Sequence, residues 1–166
     1  MPLREDKKEN YAFIDAQNLN LGIRDLGWEI DYKKFRLYLK NKYDVKCAFM
    51  FLGYVPTNQR LYTALQKAGF LLIYKPVTEV FKDGKLTVKG NVDAELVLHS
   101  AAIEYDNYDE AVIVTSDGDF YCLVEFLNNR GKLRRLLAPS KKYSKLYKSY
   151  YKKISTLSNL QDSLQR

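Results

Sequence analysis

The sequence predicts an α/β fold, a mostly parallel, doubly wound central sheet with helices on both faces. Three observations carry that prediction. Short apolar runs and amphipathic stretches alternate about five times along the chain, which is the pattern of parallel strands joined by helical crossovers. A length of 166 residues suffices for one domain with a sizeable core. Hydrophobic residues make up 46% and charged residues 28% of the chain, as in an ordinary soluble globular domain.

The elements follow in order. Tyr11-Ala12-Phe13-Ile14-Asp15 is an apolar run ending at an acid and reads as a buried strand, followed by a loop from Asn18 to Gly27. Asp31 caps a helix reaching Tyr43, with Phe35, Leu37 or Tyr38, and Leu39 as its apolar stripe. Val45 to Leu52 is a second buried strand. Thr57 caps a helix from Asn58 to Lys67 that Gly69 stops, and Phe70 to Tyr74 is a third strand. Between Val77 and Val88 strand-like residues flank Asp83-Gly84, the pair expected in a type I′ turn, so a β-hairpin is inserted here. Asn91 caps a helix from Val92 to Glu104 with Ala94, Val97, Leu98 and Ala101 on its apolar side. Ala111 to Thr115 is a fourth strand, Phe120 to Asn129 a helix closed by Gly131, and Leu133 to Ala138 a fifth strand. Ser140 caps a basic helix reaching about Lys152. Residues 1–10 read as an N-terminal tail and 154–166 as a polar, frayed C-terminal tail, around a single domain over 11–153.

Composition excludes several classes. No apolar run approaches the ~18 residues of a membrane span, and the N-terminus has no apolar segment of a secretory signal. Cys47 and Cys122 fit neither a disulfide framework nor a zinc site; they read as two buried thiols in a reducing cytoplasm. No glycine-rich dinucleotide or P-loop motif is present, so no nucleotide cofactor is expected. The net charge is +7. Between Glu125 and Asp162 lie ten basic residues and no acid: Arg130, Lys132, Arg134, Arg135, Lys141, Lys142, Lys145, Lys148, Lys152 and Lys153. Such asymmetry predicts a polyanionic partner. Tyr143, Tyr147, Tyr150 and Tyr151 interleave with these lysines; they either stack on bases or pack inward beneath a solvated face.

Acids mark the chemistry. In open parallel sheets ligands bind beyond the carboxyl ends of the strands. Asp15 closes the first strand, Asp117 and Asp119 follow the fourth, and Asp93 opens the helix after the hairpin. Singly, each has an ordinary role: Asp93 and Asp119 suit a helix N-terminus and Asp117 a turn before Gly118. Asp15, at the end of an apolar strand, needs a partner near the core. Together, four carboxylates in one pocket would repel one another unless a divalent cation neutralised them. Oxygen donors without nearby His or Cys suit Mg²⁺ or Mn²⁺. An acidic site beside a basic surface is what a metal-dependent phosphodiesterase requires.

Phe13-Ile14-Asp15-Ala16-Gln17-Asn18, Lys89-Gly90-Asn91-Val92-Asp93 and Thr115-Ser116-Asp117-Gly118-Asp119-Phe120 resemble, in order and spacing, the three signature segments of NYN domains. These belong to the PIN-like nuclease superfamily, and the nearest branch is the LabA-like group. The resemblance spans about Tyr11 to Ala138. It implies a three-layer α/β/α sandwich of the PIN-like, Rossmann-like kind and a Mg²⁺- or Mn²⁺-dependent ribonuclease. It also implies that Asp15, Asp93, Asp117 and Asp119 are the metal-site acids. Asn18 and Ser116 match the family's polar residue after the first Asp and its small hydroxyl beside the Asp-x-Asp. Lys89 matches a position that contacts phosphate. The preference for RNA over DNA comes from the resemblance alone.

His99, the one histidine, lies six residues after Asp93, about 240° around a helix, and so points away from the acids. With no other histidine, a Ser- or Cys-nucleophile triad is not expected. Haloacid-dehalogenase-type phosphatases carry an Asp-x-Asp on their first strand, whereas this first strand ends Asp-Ala-Gln. Glu104, Asp106, Asp109 and Glu110 read as a solvated acidic loop; Trp28 and Tyr32 are either a base-stacking pair or, the favoured reading, cover over the first helix. Two functions fit. One is an RNA endonuclease acting on single strands, its phosphates held in part by Lys141, Lys142 and Lys145. The other is a catalytically weak RNA-binding or protein-interaction module on the same fold. The sequence leaves the oligomeric state open, a homodimer included.

Overall fold

The computed structural model describes residues 8–89 and 91–166. Its strands are β1 (Asn10–Asp15), β2 (Val45–Tyr54), β3 (Phe70–Pro76), β4 (Thr78–Lys82), β5 (Lys85–Lys89), β6 (Ala111–Val114), β7 (Leu133–Ala138) and β8 (Ile154–Thr156). Six of them form one parallel sheet in the order β3-β2-β1-β6-β7-β8; β4 and β5 form a separate antiparallel hairpin. The chain thus winds outward from β1 in one direction and, after the hairpin, from β6 in the other. β1 and β6 lie side by side where the winding reverses, with Ile14 opposite Val114.

β1 shows how both faces are covered. Its side chains alternate, Ala12 and Ile14 entering one core and Phe13 the other. Helices α1 (Ala16–Asp25), α2 (Tyr32–Tyr43) and α3 (Gln59–Ala68) pack on the first face; α4 (Asp93–Leu98) and α5 (Tyr121–Asn129) pack on the second. This is the expected three-layer sandwich. The hairpin is also as expected: Asp83 and Gly84 both have positive φ, 54° and 72°, as a type I′ turn requires.

Several elements differ from expectation. The loop expected from Asn18 to Gly27 is helix α1. Asp15 caps it, accepting from the Asn18 N–H, and Leu19 and Ile23 bury at the i, i+4 spacing. Its two asparagines and Gly22 are weak helix formers and hid it. Gly22 has a packing reason, since a Cβ there would meet Pro139 Cβ at 2.6 Å. In α2, Leu37 is 55% exposed and Tyr43 takes its place in the core. Thr57 does not cap α3; it lies in a 3₁₀ turn, Pro56–Asn58, that leads into the helix. The apolar side of α4 is rotated from the expected one: Val92, Leu96 and Ser100 are buried, and Ala94 and Leu98 exposed. The helix then continues as a π-turn over His99–Ile103.

The largest differences lie at the C-terminal end. Ser140 caps no α-helix. The chain instead forms a 3₁₀ run over Lys145–Lys153, led by Ser144, which accepts from the Leu146 N–H. Tyr143, Tyr147 and Tyr151 stand at helical i, i+4 spacing in the sequence, but the run is broken by a kink at Tyr150, whose φ of −98° and ψ of 16° are non-helical. The tail expected to fray is docked. β8 pairs with β7, Leu157 and Leu164 are buried, and α6 (Gln161–Leu164) is tied to the start of α2 by the Asp31 N–H donating to the Leu164 carbonyl. The two thiols are not both buried, for Cys122 is exposed and Cys47 half-buried. Among the described residues, no helix is long and apolar enough to cross a membrane.

Candidate metal centre

The local rules that start helices also place the acids. Asp15 ends β1 and caps α1; Asp117 leaves β6 and caps the 3₁₀ turn Gly118–Phe120, accepting from the Asp119 N–H at 2.9 Å. Asp93 is the first residue of α4, and its N–H donates to Asn91 Oδ1 at 2.8 Å. Asp93, Asp117 and Asp119 therefore have the first-turn or turn roles expected of them singly, and Asp15 adds a capping role that was not expected. All four also converge where β1 and β6 diverge.

One carboxylate oxygen from each of Asp93, Asp117 and Asp119 lies within 4.8 Å of the others. Asp15 is outside that trio but lines the same hollow, of about 450 Å³, with Asn18, Asn91, Asp93 and Asp117. Burial pushes the Asp15 carboxyl up to about 6; Asp93 and Asp117 push it in the same direction, and N–H and O–H donors from Asn18 and Thr115 oppose them. Burial, followed by the Asp117 charge, also raises Asp93, against the Asn91 hydrogen bond and the Lys75 charge. The donor set is all carboxylate oxygen. His99 stands with its ring against Phe51, centroids 5.4 Å apart, as structural filling.

A network holds the two strand exits together. Asn18 Nδ2 donates to Ser116 Oγ at 3.0 Å, and the Ser116 N–H donates to Asn18 Oδ1 at 2.9 Å. The Thr115 hydroxyl donates to Asp15 Oδ2 and accepts from the Asp117 N–H, linking two of the acids. From the C-terminal segment, the Ser144 N–H donates to the Ser116 carbonyl and the Tyr147 hydroxyl to the Asp117 carbonyl. A Cβ at residue 118 would collide with Ser144 Oγ, which accounts for glycine between the two aspartates. Thr115 had a signal in the sequence, a hydroxyl at the end of an apolar strand. Tyr147 had none, because thirty residues separate it from Asp117. Lys75, which donates to the Asn91 carbonyl and lies 3.7 Å from Glu95, was also invisible.

The ten basic residues do not form one surface. Lys141, Lys142, Lys145 and Lys148 are exposed in the segment that crosses the Ser116–Gly118 turn, and none has an ion pair among the described residues. Others serve the opposite, entry end of the sheet. Arg130 covers Phe126, Lys132 donates to the Tyr105 and Tyr108 carbonyls over their rings, and Lys153 donates to the Leu133 carbonyl. Of the four interleaved tyrosines, Tyr147 is buried and Tyr143 and Tyr150 pack against the core; Tyr151 is exposed. The side chain of Lys89, and Gly90 beside it, lie outside the described residues.

Fold and site together define a parallel α/β protein with a carboxylate cluster at the switch point of its sheet. The chain belongs to the NYN domain family, which matches residues 11–155, and thus to the PIN-like superfamily. It is 27% identical over 122 residues to the low amplitude and bright protein LabA of Synechococcus elongatus. That match covers 69% of this chain and 65% of the relative, so the chain spans less than two thirds of that protein's length. A crystal structure of a protein of unknown function from Vibrio parahaemolyticus has the same fold. Its TM-score is 0.77 at 23% identity, over 98% of this chain and 99% of that one.

Proposed function

We propose that this protein is a Mg²⁺- or Mn²⁺-dependent endoribonuclease that hydrolyses phosphodiester bonds in single-stranded RNA. The observation that supports this best is the carboxylate set. Three acids have oxygens within 4.8 Å of one another, and a fourth is held in the same hollow with its carboxyl pushed up to about 6. Oxygen-only donors, and acids raised by burial and then by their neighbours' charge, fit a hard divalent cation. Asp93, Asp117 and Asp119 would hold it, with Asp15 behind them. When bound, such an ion supplies an activated water and polarises the phosphoryl oxygens. The residues of the chain do the rest. Thr115 holds the Asp15 carboxylate, and Tyr147 holds the Asp117 main chain, at the strand exits. Asn18 and Ser116 lock the two exits and face the substrate. Lys89, Lys141, Lys142 and Lys145 hold the phosphates of the strand. Free thiols fit a reducing compartment, and we assign the protein to the cytoplasm on that basis.

The test is cleavage of a fluorescent single-stranded RNA in Mn²⁺, for wild type and Asp117→Asn. Wild type should cut, and EDTA or Asp117→Asn should abolish cutting while the fold persists. Cutting in excess EDTA overturns the proposal. RNA binding without any metal-dependent cutting would assign the protein to the second reading, a non-catalytic module.

A further inference from the structure

A second cavity adjoins the acidic hollow. It has a volume of about 490 Å³ and shares Gln17 and Val92 with the hollow. It lies between α1, the exit of β2 and the first turns of α3. Its walls include Tyr32, Leu52 and Tyr62. The Tyr62 ring is fixed, since its hydroxyl accepts from the Val55 N–H at 2.8 Å and donates to the Gly53 carbonyl. Three side-chain amides open onto the cavity, those of Gln17, Asn20 and Asn58. None of them hydrogen-bonds to another described residue.

We propose that this cavity is a base-reading subsite. It would receive one unpaired nucleobase of the strand whose phosphodiester lies over the acids. The inference rests on the reading of the acidic hollow as a nucleic-acid site. Three features select a base as the occupant. Single-stranded nucleic acid is read by apolar or aromatic surface against the base and by hydrogen bonds to its edges. Each amide offers both a donor and an acceptor, the pairing that base edges require. The shared wall at Gln17 and Val92 puts the cavity within reach of a base attached to a phosphate at the acids. Its size also lies within the ~300–1,000 Å³ range of clefts that take small molecules. A base of an RNA strand and a free nucleotide present the same chemistry here; continuity with the acidic hollow favours the strand.

The experiment uses the full chain and fluorescein-labelled hexanucleotides of A, C, G and U. Binding is measured by anisotropy in EDTA, and cleavage in Mn²⁺. Variants are Asn20→Ala/Asn58→Ala and Leu61→Trp, the latter to fill the cavity. All three positions are exposed, so folding should persist. Wild type should prefer one base by roughly three- to tenfold, the discrimination one or two hydrogen bonds supply. Both variants should flatten that preference to less than twofold and leave the salt dependence unchanged. No preference in wild type, or a preference that survives both variants, overturns the subsite. A mononucleotide that binds as tightly as the hexamer overturns the strand as occupant. A base preference removed by the variants, without Mn²⁺-dependent cutting, upholds the subsite and sinks the nuclease. Cutting with an unaltered preference does the reverse.

Discussion

Asp15→Asn should make the metal-free protein more stable at neutral pH, although it removes a favourable negative charge from a helix N-terminus. The Asp15 carboxyl is pushed from 3.8 to about 6 by burial and by Asp93 and Asp117. A raised acid favours its protonated form in the folded state, so ionisation costs stability. The cost begins as pH rises past the unfolded value and levels off above the folded one. The shift corresponds to about 3 kcal/mol at pH 7.5 and about 0.5 kcal/mol at pH 4. Asparagine removes the charge and caps a helix about as well as aspartate, so Oδ1 still accepts from the Asn18 N–H. Loss of the favourable helix-end charge returns about 0.3–1 kcal/mol. The net gain near pH 7.5 is about 2 kcal/mol, or roughly 4–8 °C for a domain of this size. Melting curves in EDTA at pH 4 and pH 7.5 read it directly. Mn²⁺ should raise the wild-type melting temperature by mass action and raise that of the variant less. A variant that melts below wild type at pH 7.5, or a difference that does not shrink at pH 4, would refute the raised Asp15 carboxyl.

Three further outcomes follow from the same geometry. Lys141→Ala/Lys142→Ala/Lys145→Ala should weaken RNA binding equally for all sequences and lower the salt slope by ~0.7 per lost contact. Replacing Arg130 and Lys132 should leave that slope unchanged, as fluorescence titrations at several salt concentrations will show. Tyr147→Phe should cost about 0.5–1.5 kcal/mol in urea unfolding through the lost hydrogen bond to the Asp117 carbonyl. It should also weaken Mn²⁺ affinity, which a calorimetric titration measures. Leu164→Ala should destabilise by ~2–5 kcal/mol, because the C-terminal turn is part of the core; an effect near zero would mean that the tail is not docked.

The fold was legible where a single local signal sufficed. β7 matched its expected ends, Asp31 capped α2, and Asp83-Gly84 made the expected hairpin turn. It failed where tertiary contacts outweighed local preference. Helix α1 forms from poor helix formers because Leu19 and Ile23 have a sheet to pack on and Gly22 lets α1 approach Pro139. The C-terminal segment looked like a basic helix followed by a frayed end. Its real pattern is set by Tyr147, Leu157 and Leu164, each buried against chain far away in sequence. The acids themselves were visible because their strand-end and helix-start positions are local features. What tunes them was not, since Thr115–Asp15 and Tyr147–Asp117 join residues 100 and 30 positions apart.

The division of the positive charge follows from the same parallel topology. In a parallel sheet every strand enters at one end and leaves at the other, so a basic run spanning a strand must appear at both ends. β7 lies within this run. Arg130 and Lys132 precede it, and Lys141, Lys142 and Lys145 follow it. The acids sit at strand exits, so the cations after β7 share their end of the molecule. Those before β7 cannot reach it and are taken up by rings and carbonyls at the entries. The chain then returns to the entry end to begin β8, a parallel strand, and brings Lys152 and Lys153 back there; the Lys152 carbonyl accepts from Arg135, and Lys153 donates to the Leu133 carbonyl. A run of ten charges therefore reduces, at the exit end, to the few lysines of the crossing segment. Its path is fixed by Ser144 and Tyr147 on the Ser116–Gly118 turn, so the placement of these lysines and the geometry of Asp117 are coupled through one short stretch of chain.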